Sequence, residues 1–131
     1  MIRRVSSGGP WEETIGYSRA VVVDRWVLTA GCTSTVDGEV THPDDAHGQA
    51  LTAFGVALRA LAEVGAEVEH VVRTRMYVTD MALQDEVARA HRELFGAVRP
   101  VATMVGVSQL THRDHLVEVE VEAYLPEEVR P

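Results

Sequence analysis

The sequence predicts an α+β protein in which two helices cover one face of a six-stranded sheet. Two observations lead to this fold class. Segments typical of strands and helices alternate in the order β-β-β-α-β-α-β-β, and each helical segment carries a single apolar stripe. A helix with one apolar stripe needs one apolar partner surface, which a sheet provides. The chain of 131 residues has the length of one domain, and we expect residues 1–131 to form it.

Three strands are predicted in the first quarter of the chain. A short strand near residues 2–5 precedes residues 6–14, whose Ser, Gly and Pro content predicts an irregular loop. The runs 20–23 and 26–30 are rich in β-branched residues and are separated by only two polar residues, which predicts a hairpin.

Both predicted helices have recognisable ends. The pair Asp37-Gly38 predicts a turn, and the segment 42–45 offers an N-cap for the first helix, with Gly65 as its C-cap. Asp80 can cap the second helix, which ends at Gly96. The apolar stripes recur at spacings of three and four and consist of Ala50, Phe54, Ala57, Leu58 and Leu61 in the first helix and Leu83, Val87, Ala90 and Leu94 in the second.

Alternation in the second half of the chain predicts three more strands. Residues 71–79 place Val72, Thr74, Met76 and Val78 on one face and Arg73, Arg75 and Tyr77 on the other. Residues 101–107 form a second candidate strand. Residues 116–124 form the clearest one, with valines on one face and Glu118, Glu120 and Glu122 on the other. The charged face lacks a helical cover, so we expect a second subunit to cover it.

Composition excludes several classes of partner. The formal net charge is −8 and the basic residues are scattered, which disfavours nucleic-acid binding because an acidic surface repels phosphates. No apolar run approaches the ~20 residues that span a bilayer, so no membrane partner is expected. The N-terminus lacks an apolar signal core, and the one cysteine, Cys32, has no internal partner. We therefore expect a cytoplasmic location.

Candidate metal and nucleophile sites in the sequence are weak. Cys32 ends a predicted strand and has no catalytic pattern around it, so a buried apolar role is favoured. His112 and His115 flank Asp114 in a predicted solvated loop that offers no third ligand. His91 lies beside the apolar stripe of the second helix. We expect no bound metal and no cofactor.

Several segments, in this order and spacing, resemble one known family over nearly the whole chain. They are residues 16–21, 26–31, 49–66, 71–80, the turn from Phe95 to Pro100, and 119–123. The chain resembles the Rid family (reactive intermediate deaminases, also called YjgF or L-PSP-like). The resemblance implies a chorismate-mutase-like fold with a mixed six-stranded sheet. It also implies a homotrimer with a central barrel and a ligand cleft at each subunit interface.

The resemblance also implies the position of the site. Deaminases of the family carry Pro-Ala-Arg-Ser-x-Val, whose arginine grips the substrate carboxylate. Pro100 and Val105 match this motif, but Ala102 stands at the arginine position. The resemblance implies that Glu120 is the catalytic, water-orienting glutamate. The residues implied to contact the substrate are Tyr17, Gly31, Cys32, Ala102, Thr103 and Met104. The strand pattern alone favours a solvated Glu120, because three equivalent glutamates on one face show no distinction.

Ala102 separates the fold from the best-known chemistry of the family. Without a cation, a cleft holds a small 2-imino acid poorly, because a buried carboxylate needs a partner. Arg19, Arg73 and Arg75 are candidate replacements. The leading hypothesis is a homotrimer that binds a small metabolite and hydrolyses an imine, enamine or related labile bond, but is not a 2-aminoacrylate-type deaminase. The alternative is a non-catalytic sensor or chaperone-like trimer, and endoribonuclease activity is disfavoured.

Overall fold

A computed structural model describes residues 1–127 and contains two helices and a large sheet. The helices are α1 (Ala46–Ala62) and α2 (Gln84–Phe95). The strands are β1 (Ile2–Val5), β2 (Ala20–Val23), β3 (Trp26–Thr29), β4 (Thr35–Val36), β5 (Glu39–Val40), β6 (Val71–Val78), β7 (Val101–Gly106) and β8 (Val117–Tyr124).

Six of the strands form one mixed sheet in the order β1-β2-β3-β8-β6-β7. β6 and β7 are parallel, because α2 carries the chain back across the sheet between them, and every other neighbouring pair is antiparallel. β4 and β5 form a separate small hairpin around the predicted Asp37-Gly38 turn. The α+β fold with six sheet strands and two main helices is therefore confirmed.

The ends of α1 follow from local backbone chemistry. The Asp45 side chain caps the N-terminus by accepting a hydrogen bond from the Gly48 N–H at 3.0 Å. At the other end Gly65 has a φ of +82°, and the Ala66 N–H donates to the Leu61 carbonyl at 3.0 Å. This arrangement is a Schellman motif, in which a glycine in the left-handed region closes the helix. Both predicted caps are confirmed.

The core lies between the helices and one face of the sheet. The rings of Phe54 on α1 and Phe95 on α2 meet edge to face with centroids 5.1 Å apart. Beneath them lie the valines of β8, Val117, Val119 and Val121, which are essentially inaccessible to solvent. Burial of each such side chain stabilises the fold by roughly 1.5–3 kcal/mol, so this face of the sheet is the main source of stability.

Two local predictions are wrong. The pairing of β6 with β8 shifts register between Val71 and Arg73, and this bulge turns Val72 outward while Val71 takes its place in the core. In addition, the predicted loop over residues 6–14 runs into a short π-helical turn at Glu12–Gly16. The Glu12 side chain bonds to Ser6, Ser7 and Gly9 just before that turn, specific contacts that the loop-like composition does not reveal.

Candidate functional site

Tyr17, Gly31 and Cys32 lie together around one arginine. The guanidinium of Arg19 donates through Nη1 to the Gly31 carbonyl at 2.6 Å and to Cys32 Sγ at 3.6 Å, and through Nη2 to the Tyr17 hydroxyl at 3.3 Å. The Arg19 side chain is only 11% exposed, and its Nε is buried without a hydrogen-bond partner within residues 1–127. Three predicted contact residues are thus brought together by a cation.

Glu12 holds this arginine in place from the other side. Its carboxylate lies 3.8 Å from Arg19 Nε and accepts hydrogen bonds from the hydroxyls of Ser6 and Ser7 and from the Gly9 N–H. Burial alone would raise the pKa of Glu12, but the hydrogen bonds from Ser7 and Ser6 outweigh it and the pKa is lowered. Arg19 is therefore faced by a stable negative charge.

Cys32 is fully buried and belongs to the core cluster. Its backbone bridges to Val119, and burial raises the pKa of its thiol despite the neighbouring Arg19. The apolar role favoured by the sequence agrees with this position, because a protonated buried thiol is a poor nucleophile.

The other predicted contact residues lie on β7, the edge strand that is separated from β8 by β6. Ala102 and Thr103 are exposed, and Met104 packs partly against the core. The parallel register sets Ala102 beside Thr74, and Thr103 beside Arg75. Because side chains alternate along a strand, Ala102 and Met104 lie on the helix-covered face and Thr103 lies on the uncovered face.

The two groups of residues are far apart within one chain. Cys32 pairs with Val119, Val119 with Met76, and Met76 with Met104, so three strand spacings separate Cys32 from Met104. At about 4.8 Å per spacing, the backbones are roughly 14 Å apart. A single chain therefore presents two half-sites: one around Tyr17, Gly31 and Cys32, and one along β7.

Glu120 lies between the half-sites on the uncovered face. Its Oε1 accepts a hydrogen bond from the Tyr77 hydroxyl, and Arg75 stands directly across from it on β6. That hydrogen bond and burial raise the pKa of Tyr77. Glu120 is thus a half-buried carboxylate with a fixed donor, which distinguishes it from a freely solvated side chain.

The remaining arginines of the uncovered face are already paired. Arg75 Nη1 lies 2.9 Å from Glu122 Oε1, and Arg73 Nε lies 3.8 Å from Glu122 Oε2. The hydrogen bond that Arg75 donates to Glu122 raises the pKa of Arg75. Of the three arginines considered as replacements for the missing one, Arg19 is the one that donates hydrogen bonds to predicted contact residues within residues 1–127.

Two of the histidines, His91 and His115, make contacts within the fold. His91 Nε2 lies 2.8 Å from Thr74 Oγ1, and burial lowers its pKa. His115 is buried, with Nε2 2.9 Å from Thr35 Oγ1, so the expectation of a fully solvated loop is wrong for this residue. Over residues 1–127, no three His, Cys, Asp or Glu side chains come close enough to hold a metal ion.

Sequence reasoning missed two residues of the uncovered face. Tyr77 supplies the donor to Glu120, and the Glu118 carboxylate lies against the Gly31 backbone. The alternation of residues 71–79 already placed Tyr77 on the face of the glutamate row. The β6–β8 register that joins Tyr77 to Glu120 includes a bulge, and the position of Glu118 beside Gly31 follows from the bridge between Cys32 and Val119. The alternation reveals neither.

Comparison with known proteins adds an independent finding. A family model described as "Endoribonuclease L-PSP" matches residues 11–125. The uncharacterized protein SCO2049 of Streptomyces coelicolor is 44% identical over 123 residues, which span 94% of this chain and 92% of that protein. In the described part of the chain, neither helix combines the length and apolar character needed to cross a membrane.

Solved structures share the architecture. Rv2704 from Mycobacterium tuberculosis, a member of the YjgF/YER057c/UK114 family, is 40% identical with a TM-score of 0.87, covering 95% of this chain and 100% of its own. PA3499 from Pseudomonas aeruginosa, a protein of unknown function, is 28% identical with a TM-score of 0.84, and the match covers 100% of this chain and 97% of PA3499. The Rid protein YyfA from Yersinia pestis, at 22% identity, covers 93% of this chain and 94% of its own, has a TM-score of 0.80 and shares the fold.

Proposed function

Because this chain belongs to the L-PSP family, also known as the YjgF or Rid family, we propose that it works as a homotrimer with a small-molecule site between subunits. The site binds a small metabolite and hydrolyses an imine, enamine or related labile bond. It is not a 2-aminoacrylate-type deaminase. The fold of one subunit is that of its relatives, a mixed six-stranded sheet with two main helices.

The proposal of a shared site is supported by the separation of the half-sites. The backbones of Cys32 and Met104, one from each half-site, lie roughly 14 Å apart in one chain, a distance too large for one small metabolite to contact both groups. Within residues 1–127, β7 is an edge strand with one side unpaired, and the helices pack on the sheet face opposite to Glu120. A second copy that brings its Tyr17 half-site to this edge completes the pocket.

The observation that carries the choice of substrate is the environment of Ala102. Ala102 is exposed on β7, while Arg73 and Arg75 both pair with Glu122 on the other face. Within residues 1–127, neither Ala102 nor these two paired arginines supplies the β7 half-site with a free guanidinium for a carboxylate, so a charged substrate would lose its solvation there without compensation. A neutral imine or enamine meets no such cost beside Ala102, Thr103 and Met104.

Glu120 and Tyr77 support a hydrolytic role over a purely structural one. The Tyr77 hydroxyl fixes one oxygen of the Glu120 carboxylate and leaves the other to orient a water molecule. Tyr17 and Thr103 would position the substrate, one from each half-site. In the non-catalytic alternative the same pocket holds a ligand without turnover, and replacement of Glu120 by Gln distinguishes the two.

We do not propose ribonuclease activity, although the family description carries that word. The formal charge of the chain is −8, and Arg73 and Arg75 already face a glutamate. Phosphate contacts depend on free cations, so this face is unsuited to RNA.

Substitution of Ala102 by Arg tests the substrate choice. The unmodified protein should release ammonia from benzophenone imine, a neutral N–H ketimine, and only weakly from 2-aminoacrylate generated in situ. Because a guanidinium binds a carboxylate in a bidentate manner, Ala102→Arg should raise kcat/KM for 2-aminoacrylate by about 10- to 100-fold, which corresponds to roughly 1.4–3 kcal/mol of transition-state binding.

Ala88→Arg is the matched control, because Ala88 is exposed on α2 and adds the same charge away from the site. It should leave both rates unchanged. Efficient turnover of 2-aminoacrylate by the unmodified protein would refute the substrate choice. Absence of any imine turnover, with Glu120→Gln binding ligands as well as the unmodified protein does, would favour the non-catalytic alternative.

A further inference from the structure

The three glutamates of β8 have different environments. Tyr77 stands opposite Glu118, and Arg75 stands opposite Glu120. Each of these two β6 side chains, however, donates its hydrogen bond to the glutamate two residues further toward the C-terminus. Arg75 donates to Glu122, and Tyr77 donates to Glu120. The pairing is displaced by one step, so Glu118 at the end of the row is left with no hydrogen bond or ion pair within residues 1–127.

Glu118 instead lies over the backbone of Gly31. A Cβ at position 31 would overlap Glu118 Oε2 and would lie 2.8 Å from its Cδ. Glycine is therefore required at this position for the carboxyl to lie where it does. Because the obstructing group is the end of a side chain, an alanine at position 31 would displace the carboxyl and leave the strand in place.

This position puts Glu118 in the Tyr17 half-site. Gly31 and Cys32 both accept hydrogen bonds from Arg19, and Glu118 is half-buried next to them. Burial raises the pKa of Glu118, the charge of Glu120 raises it further, and Arg19 offsets these effects only in part. Glu118 and Glu120, two residues apart on one strand, thus have different surroundings. Such a difference allows one carboxyl group to act as an acid and the other as a base.

We infer that Glu118 is a second catalytic carboxyl of the site, acting as the general acid while Glu120 acts on the water. This assignment rests on the proposed function and deepens it. The Glu118 carboxyl lies against Gly31 and faces the half-site from β8, the strand that also carries Glu120. Both carboxyl groups therefore contact the same bound imine.

The proton balance of the hydrolysis is complete with these two groups. Glu118 gives its proton to the imine nitrogen, and water adds to the carbon as the C=N π pair moves to nitrogen. Glu120 takes the proton that the water loses and then passes it to the amino nitrogen of the carbinolamine. The C–N bond breaks, ammonia leaves, and the carbinolamine hydroxyl returns a proton to Glu118 as the C=O bond forms.

An activity-independent experiment tests the state of Glu118. In protein labelled with ¹³C at glutamate Cδ, the Glu118 resonance is assigned by its loss in Glu118→Gln and titrated from pH 3 to 9. It should titrate above the ordinary glutamate value of 4.5. Gly31→Ala should bring its midpoint back toward that value by moving the carboxyl into water.

Gly55→Ala is the matched control, since a Cβ at Gly55 meets no atom within 4 Å. It should leave the Glu118 titration unchanged. A Glu118 midpoint at or below 4.5 in the unmodified protein would overturn the inference, and so would a midpoint that Gly31→Ala and Gly55→Ala leave equally unchanged.

The kinetic experiment uses benzophenone imine. Glu118→Gln should lower kcat by about 10²- to 10⁴-fold with KM nearly unchanged, and should remove the decline of the rate at high pH that loss of the Glu118 proton causes. Glu118→Asp should restore part of the rate. Turnover that Glu118→Gln leaves intact but Glu120→Gln abolishes would refute this inference alone. Absence of turnover by the unmodified protein would refute the proposed function and the catalytic assignment with it.

Discussion

Gln49 is the buried polar residue that joins the start of α1 to the loop before β8. Its Nε2 donates to the carbonyls of Asp114 at 2.7 Å and His42 at 3.1 Å, and its Oε1 accepts from the Leu116 N–H at 2.8 Å. The side chain pairs the Asp114 carbonyl and the Leu116 N–H, and it adds a second donor to the His42 carbonyl, which also accepts from the Asp45 N–H. The loop therefore enters β8 at a defined place, which helps to set the position of Glu118 and Glu120.

Replacement of Gln49 by Leu should lower the free energy of unfolding by about 2–4 kcal/mol, because it leaves buried backbone groups without partners. Urea denaturation at one fixed protein concentration measures the change. The control is Gln84→Leu, at the exposed first position of α2, which should stay within about 0.5 kcal/mol of the unmodified protein. Equal losses in the two variants would contradict the role assigned to Gln49.

At the scale of single residues, the resemblance predicts the site positions but not the partners of those residues. Tyr17, Gly31 and Cys32 were selected by resemblance, and the structure brings them together through Arg19. Glu120 could not be told from Glu118 on the strand pattern, because alternation places both on one face. Hydrogen bonds across strands distinguish them, and these depend on register.

Among the elements, α1 was predicted most accurately. Its apolar stripe, N-terminal cap and C-terminal glycine are local signals, and the structure places all three as expected. β6 was predicted less accurately, since the bulge between Val71 and Arg73 exchanges the faces of the first two residues. A bulge depends on the strand alongside, so the alternation of β6 itself contains no sign of it.

Alanine substitution should change the free energy of unfolding in opposite directions at two glycines, one inside α1 and one just after its C-terminus. Gly65 has a φ of +82°, where a Cβ is strained, so Gly65→Ala should lower the unfolding free energy by about 1–2 kcal/mol. Gly55 lies inside the helix with open space around it, so Gly55→Ala should raise it by about 0.5–1 kcal/mol. Thermal denaturation of both variants checks the signs, and a shift of the same sign in both would contradict this account of the helix end.

For the whole molecule, the uncovered sheet face is the feature that most affects assembly. Trp26, Leu28 and Tyr124 are exposed at one end of this face, and Val101 and Val105 are exposed at the other, on the edge strand β7. The helices bury the opposite face only. An exposed apolar face of this kind is typical of an association surface, which supports the proposed trimer.

Substitution of Val105 by Glu tests this surface. If a second copy covers the face, a buried charge there should shift the protein from a species of three times 14.4 kDa to the 14.4 kDa monomer in sedimentation velocity. Val36→Glu is the control, because Val36 and Val105 are both 42% exposed and Val36 lies in the separate β4–β5 hairpin. A trimer that survives Val105→Glu, or a protein that is monomeric without substitution, would argue against the shared site.

The sequence by itself determined the order of the six sheet strands and the two main helices, the ends of the first helix, the charged sheet face and the absence of an arginine at position 102. These follow from local chemistry: periodicity, capping and residue identity. Only the tertiary structure decided that Arg19 joins Tyr17, Gly31 and Cys32, that the β7 residues lie apart from them, and that Glu118 is the β8 glutamate left without a partner within residues 1–127. These depend on strand register and on contacts between residues distant along the chain, where a shift of one residue changes every pairing.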